Sequence, residues 1–372
     1  MIRITDRELC CGCSACADCC PHGAITMKAD AMGFRYPSVD ESLCVDCGIC
    51  EKVCAFHKPD SAAADTCEAI RFPDLMDGSQ SGGLAYALMR KAICNGFIVY
   101  GAAVDDDFCV RHRRVDSMDG LAPLRLSKYV QSDMKGIPAQ VLDDLRNGRK
   151  VLFTGTPCQC AGIASAAGKM RRNLLTADII CHGVPSPSVW KGYLESMERR
   201  HAKKISSVVF RDPSLGWHGH REAICFGNEK VVSDEYTFFF YQHLMLRPSC
   251  TVCPFASLHR VSDITMADCW GVEKILPGFA DDNRGCSVLF ANTKAGLDFT
   301  RDFPDGCSRA PMEIPSEKDQ ANLYSPSSAH KRAKSFENTY IRKGYDVVLH
   351  RFGIQSRSHR IDEFIKKVKR HI

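Results

Sequence analysis

No apolar run in this 372-residue chain approaches the ~20 residues that cross a bilayer, and nothing at its start reads as a secretory leader. Neither a membrane-spanning nor an exported protein is expected. Charge is close to balanced: 49 Lys and Arg against 44 Asp and Glu leave a net +5. With no RNA- or DNA-binding motif either, nucleic acid is not an expected partner. No repeat is visible beyond two runs of cysteine. What the chain holds in excess is cysteine itself, at 22 residues. Without an export signal, so many thiols point to a reducing, cytoplasmic setting, where they serve metals rather than bridges.

The two runs carry the first inference. Cys10, Cys13, Cys16 and Cys20 are followed by Pro21, and Cys44, Cys47, Cys50 and Cys54 repeat the same spacing. This is the bacterial ferredoxin pattern, in which three cysteines hold one [4Fe–4S] cube and the fourth crosses to the other. One cluster is therefore assigned to Cys10, Cys13, Cys16 and Cys54, the other to Cys44, Cys47, Cys50 and Cys20. Three thiolates that converge on one cube need a tight loop with two residues between neighbours. Zinc motifs leave no role for the third and fourth cysteines of each run. Ala55 stands where the first run has Pro21, and all eight ligands remain.

The rest reads as alternating strands and helices, hence a mixed α/β architecture. Residues 1–58 form the two-cluster ferredoxin-like module. Residues 59–80, rich in Ala, Asp, Pro and Ser, read as a linker. Residues 81–310 form an α/β domain, with strands expected at 97–104, 150–154, 174–180, 205–210, 264–270 and 287–292. Helices are expected from 84, at 138–146, 161–167, 187–200 and 238–246, and a hairpin at 223–232. Residues 311–372 read as a basic, helical tail that includes 361–368. Such a tail is ordinarily a solvated face; an acidic partner or a membrane surface is the alternative.

Four further cysteines fall where strands end or loops tighten: Cys158, Cys181, Cys250 and Cys253. Together they make a complete ligand set for a third cube. The competing reading is four small core residues.

Several separated motifs then occur in one order: Ser81-Gly82-Gly83, Ser127 to Ser132, Gly155 to Gln159, Cys181 to Ser186, Phe210-Arg211-Asp212, Cys250 to Phe255 and Asp263 to Gly271. Through them the chain resembles the coenzyme F420 hydrogenase/dehydrogenase beta-subunit family, in the form with an N-terminal ferredoxin module. The resemblance implies an iron–sulfur flavoprotein that binds FAD and passes electrons between clusters and an organic substrate. It implies that Cys158, Cys181, Cys250 and Cys253 hold a cluster near the flavin. Cys160, Cys269 and Cys286 depart from the expected apolar residues and read as core.

Given FAD, its diphosphate needs N–H donors and a cation. Ser81, Gly82 and Gly83, leading into a helix, supply the first, unless they are an ordinary cap. Ser127, Lys128 and Tyr129 supply a cation and a stacking face, against the reading of a surface Lys and a core Tyr. Thr154, Gly155, Thr156 and Pro157 are placed along the isoalloxazine. His182 is a candidate proton donor or a backbone-bonded turn residue, and Arg211 with Asp212 a substrate contact or an ion pair. No catalytic acid is named. The expected function is an oxidoreductase fed by ferredoxin or another redox partner. The alternatives are a non-catalytic electron-transfer subunit of a larger complex and a cluster protein without flavin.

Overall fold

The computed structural model describes residues 1–4, 6–56, 61–64, 66–280, 282–303 and 306–356. The N-terminal module has two short helices, α1 (Ala15–Asp18) and α2 (Ile49–Lys52), and a hairpin of β1 (Ile25–Ala29) and β2 (Arg35–Val39). The repeated spacing folds the same way twice. Gly12 and Ser14 of the first run, and Asp46 and Gly48 of the second, all take positive φ. That left-handed kink on either side of the second cysteine turns three thiols inward.

Behind the module stands an eight-stranded mixed sheet. Its strands in chain order begin with β4 (Thr66–Arg71), since a two-residue β3 (Ala62–Ala63) pairs elsewhere, with β12 (His259–Arg260). There follow β5 (Ile98–Val104), β6 (Val110–Val115), β7 (Val151–Gly155), β8 (Leu174–Ile179), β13 (Ile264–Asp268), β14 (Ser287–Ala291) and β15 (Ser308–Pro311). Their spatial order is β15-β4-β14-β13-β8-β7-β5-β6. The four central strands β13, β8, β7 and β5 are parallel, as their near-continuous apolar runs demand. Helices α3 (Leu84–Cys94) and α9 (Lys294–Arg301) cover one face; α4 (Ile137–Arg146) and α5 (Pro157–Ala167) cover the other.

A second lobe joins α6 (Pro187–His201), α7 (Glu235–Tyr241) and a three-stranded sheet of β9 (Ser207–Val209), β10 (Glu222–Phe226) and β11 (Glu229–Ser233). The short α8 (Val272–Ile275) follows β13. Helices α10 (Ala333–Lys343) and α11 (Tyr345–Phe352) close the described chain.

Four expectations change. Residues 59–80 are no plain linker: β4 lies inside the main sheet, paired with β14 on one side and β15 on the other. Strands β6 and β15, not expected, complete both edges. The helix expected over 238–246 starts at Glu235 and stops at Tyr241, because His243 takes φ 53° and breaks the turn. The tail is not a solvated face where it is described. Phe336, Tyr345, Val348 and Phe352 are buried against Trp190, Tyr193 and Phe239. The helix expected at 361–368 lies outside the described residues.

Candidate functional site: three cysteine sets and a cleft

The fold gathers the cysteines into the three expected sets. Cys16 lies within electrostatic reach of Cys13, Cys10 and Cys54. Cys20, Cys44, Cys47 and Cys50 line one small cavity. Cys181, at the carboxyl end of β8, faces Cys250, Cys158 and Cys253. Among the described residues, no three His, Cys, Asp or Glu side chains come close enough to share a single metal ion. Each set supplies four thiols, the ligand count of a [4Fe–4S] cube. Burial pushes the Cys250 thiol up to about 12 and that of Cys253 up to about 11. Iron bound there would displace protons.

The first and third sets adjoin. Cys11, Cys13, Cys54, Cys158 and Cys253 share one packed cluster with Phe56, Ala161 and Phe255. Helix α5 approaches so closely that a Cβ on Gly162 would fall 2.7 Å from the Cys13 sulfur. Cys11, unassigned by the spacing, packs beside both Cys13 and Cys158. The loop after Cys253 is held by Arg260, which donates to the carbonyls of Phe255 and Ser257 and to Asp178 Oδ1 at 3.0 Å. Arg260 and Asp178 are both fully buried.

A cleft of about 520 Å³ opens at the carboxyl ends of β7, β8 and β13, where parallel sheets place their sites. Eight of the ten residues expected to touch flavin border it: Ser81, Gly83, Ser127, Lys128, Tyr129, Thr154, Gly155 and Thr156. Gly82 and Pro157 do not. A Cβ on Gly82 would meet the Ile70 carbonyl at 2.6 Å and the Ser287 nitrogen at 2.7 Å, so that glycine serves close packing. Pro157 is the buried first residue of α5.

The amino end of α3 opens on the cleft through Leu84, Ala85 and Tyr86. Lys128 donates to the carbonyls of Arg125 and Leu126, at 2.6 and 3.2 Å, and meets no carboxylate among the described residues. Burial lowers its pKa to about 7. Arg125 donates to Ser79 and lies over the Tyr86 ring at 4.1 Å. A helix amino terminus with two cations that have no acidic partner fits an anionic group such as a diphosphate. Tyr129, stacked on Phe240, and Trp270, stacked on Trp217, offer flat walls. Cys181 borders the same cleft, so the third cysteine set reaches its surface.

Two further cleft residues, His112 and His220, carried no sequence signal. His112, in the unexpected strand β6, bonds the Thr154 carbonyl at 3.0 Å and Ser132 Oγ at 2.9 Å. Burial lowers its pKa to about 4. His220 lies 2.7 Å from the Tyr241 hydroxyl; burial first, and Arg211 second, lower it to about 4. His182 lines the cleft, and burial lowers its pKa too. Arg211 is buried and pairs with Asp268 at 2.9 Å rather than with Asp212, which binds Lys230 instead. Cys160, Cys269 and Cys286 are core residues, as read from the sequence.

Comparison with known proteins now bears on this geometry. Residues 148–306 match the family defined by the C terminus of the coenzyme F420 hydrogenase/dehydrogenase beta subunit, and residues 9–58 match the 4Fe-4S dicluster domain. Residues 148–306 are thus a domain of the F420 hydrogenase/dehydrogenase beta-subunit family, behind a 4Fe-4S dicluster domain at residues 9–58. Together the two domains mark iron–sulfur electron transfer of the oxidoreductase type. The family domain contains the cysteines of the third set, and the dicluster domain contains both runs. No curated protein matches the chain. Among solved structures it is similar to a chain of the F420-reducing [NiFe] hydrogenase complex from Methanosarcina barkeri, studied by xenon derivatization. The identity is 19% and the TM-score 0.48, over 80% of this chain and 96% of that one. Among the described residues, no helix is long and apolar enough to cross a membrane.

Proposed function

We propose that this F420 hydrogenase/dehydrogenase beta-subunit-like protein is an iron–sulfur flavoprotein oxidoreductase with three [4Fe–4S] clusters and FAD in the cleft. The observation that carries the reading is Cys181, which belongs to the third cysteine set and borders the cleft. A cluster and a ring-shaped cofactor would then lie side by side. Bound FAD would supply the conversion between one-electron and two-electron chemistry. In this reading the chain's own residues bind and orient. Ser81, Gly83 and the start of α3 would hold the diphosphate with Lys128, Tyr129 would offer the ring a flat face, and Thr154, Gly155 and Thr156 would line its pocket.

Electrons reach the clusters from a redox partner such as ferredoxin or another protein of a larger complex. The second run favours this: Cys47 is exposed, and Leu43, Val45 and Ile49 beside it hold large apolar side chains in solvent. Apolar contact around an exposed cluster loop suits a transient protein partner. The organic substrate then meets the cleft at the end where His220, Tyr241 and Trp270 lie.

Anaerobic purification tests the reading. The protein is expected to carry iron, acid-labile sulfide and extractable FAD, with a flavin band that dithionite bleaches. Turnover of a small organic acceptor by the lone chain distinguishes an enzyme from an electron-transfer subunit. Iron without flavin contradicts the proposal.

A further inference from the structure

Arg247 is buried to 0% exposure, three residues before Cys250, and no carboxylate among the described residues pairs with it. Its Nε donates to the Cys10 carbonyl at 2.7 Å, one terminal nitrogen to Gln131 Oε1 at 2.9 Å, and the other to the Arg35 carbonyl at 2.8 Å. The Tyr36 ring lies 4.4 Å from its guanidinium carbon. A Cβ on Gly12, between Cys10 and Cys13, would fall 2.8 Å from Nη1. On its other side, the Arg247 carbonyl accepts from the Cys250 nitrogen at 3.0 Å. One cation therefore touches the loop of the first cysteine run and the loop of the third set.

A guanidinium keeps its proton in proteins, and a buried charge is costly unless something offsets it. The three carbonyl oxygens around Arg247 accept from it without neutralising it. Beyond the Tyr36 phenol, the nearby groups that can carry negative charge are the sulfurs of the two loops it touches. Arg247 reaches the first set through the Cys10 carbonyl and Gly12, and the third through its own carbonyl on the Cys250 nitrogen. The cavity lined by Cys20, Cys44, Cys47 and Cys50 does not border it.

We propose that Arg247 is the shared counter-charge of two iron–sulfur clusters, the one on Cys10, Cys13, Cys16 and Cys54 and the one on Cys158, Cys181, Cys250 and Cys253. The inference rests on the cluster reading above. A cube that gains an electron becomes more negative, and a fixed cation in a poorly screened interior stabilises that state. Arg247 thus makes both clusters easier to reduce and keeps their potentials close enough to exchange electrons across the Cys11 contact. It is a positioning and tuning residue that touches neither substrate nor flavin.

The test is an EPR-monitored redox titration of the anaerobically purified full chain. Arg247→Gln removes the charge and keeps an amide donor for the Cys10 carbonyl. Gln131→Glu leaves the guanidinium in place and sets a carboxylate 2.9 Å from it, where Oε1 now lies. Both variants are expected to lower the midpoints of the first and third clusters and to leave that of the second unmoved. Arg247→Lys keeps the charge and holds all three near wild type. If Arg247→Gln fails to retain iron, Gln131→Glu decides. Midpoints that stay put in Gln131→Glu, or three that fall together, overturn the assignment. So does a Lys variant that falls as far as the Gln variant. A wild-type chain without cluster signals would defeat the cluster reading itself, and this assignment with it.

Discussion

The two cysteine runs share a spacing and a backbone, with positive φ on either side of the second cysteine in each. Their surroundings differ. The first is pressed against α5 and the third cysteine set, with a buried guanidinium over its loop. The second stands at the surface, with Cys47 exposed and Val45 60% exposed. One backbone turn therefore stands in two different surroundings, which the proposed function makes two positions along a path of electron carriers. In the proposed function the outer run would meet a partner and the inner run would hand on to the body. Spacing determines what is bound, and packing determines what it is bound for.

The largest effect that sharpens this contrast is expected from Cys253→Ser. Removing a ligand of the third set should cost one cluster while the EPR signals of both runs persist. Loss of signals from either run instead would mean that the sets are not separate. Next comes Arg260→Ala, which takes the cation from buried Asp178 and leaves it, among the described residues, only the Thr265 hydroxyl at 2.6 Å. Breaking a buried pair costs roughly 3–5 kcal/mol. Denaturant unfolding of the iron-loaded protein should show it, with the inner sets disturbed and the outer run intact. A change under ~0.5 kcal/mol would show that the pair does not anchor the Cys253 loop.

Lys128→Met is expected to weaken FAD binding on the order of tenfold, about 1.4 kcal/mol, measured by quenching of flavin fluorescence. The pH dependence has a definite sign. An anion prefers the protonated amine, and burial has lowered its pKa to about 7. Wild-type affinity should therefore hold below pH 7 and fall as pH rises above it, and the Met variant should be flat there. An unchanged slope in the variant would remove Lys128 from the anion site. The smallest effect is expected from Val45→Asp at the outer run. Stability should change by less than ~0.5 kcal/mol, while the apparent KM for reduced ferredoxin rises several-fold. An unaffected KM would place partner docking elsewhere.

The cysteines of the two runs could be grouped from sequence because their spacing is local and nearly free of context, whereas Cys158, Cys181 and the pair Cys250 and Cys253 lie far apart in the chain and are linked through the family resemblance. The central strands could be read because they are buried on both faces. Strand β4 could not: Cys67 and Glu68 break its apolar character, and its partners β14 and β15 lie more than 200 residues onward. Strand β6 hides behind arginines, two of which pair with Asp105 at the solvent edge. The tail helices looked like surface because Lys and Arg outnumber the aromatics that sink into the second lobe. Arg247 gave no signal at all, since a lone arginine before a CxxC motif reads as solvent-facing. Its role comes only from three-dimensional closure, as does the His220–Tyr241 contact.

The most direct test is an iron and acid-labile sulfide count on anaerobically purified protein. Three cubes require about twelve iron and twelve sulfide per chain. A value near eight would leave Cys158, Cys181, Cys250 and Cys253 as buried thiols and end the path from surface to cleft.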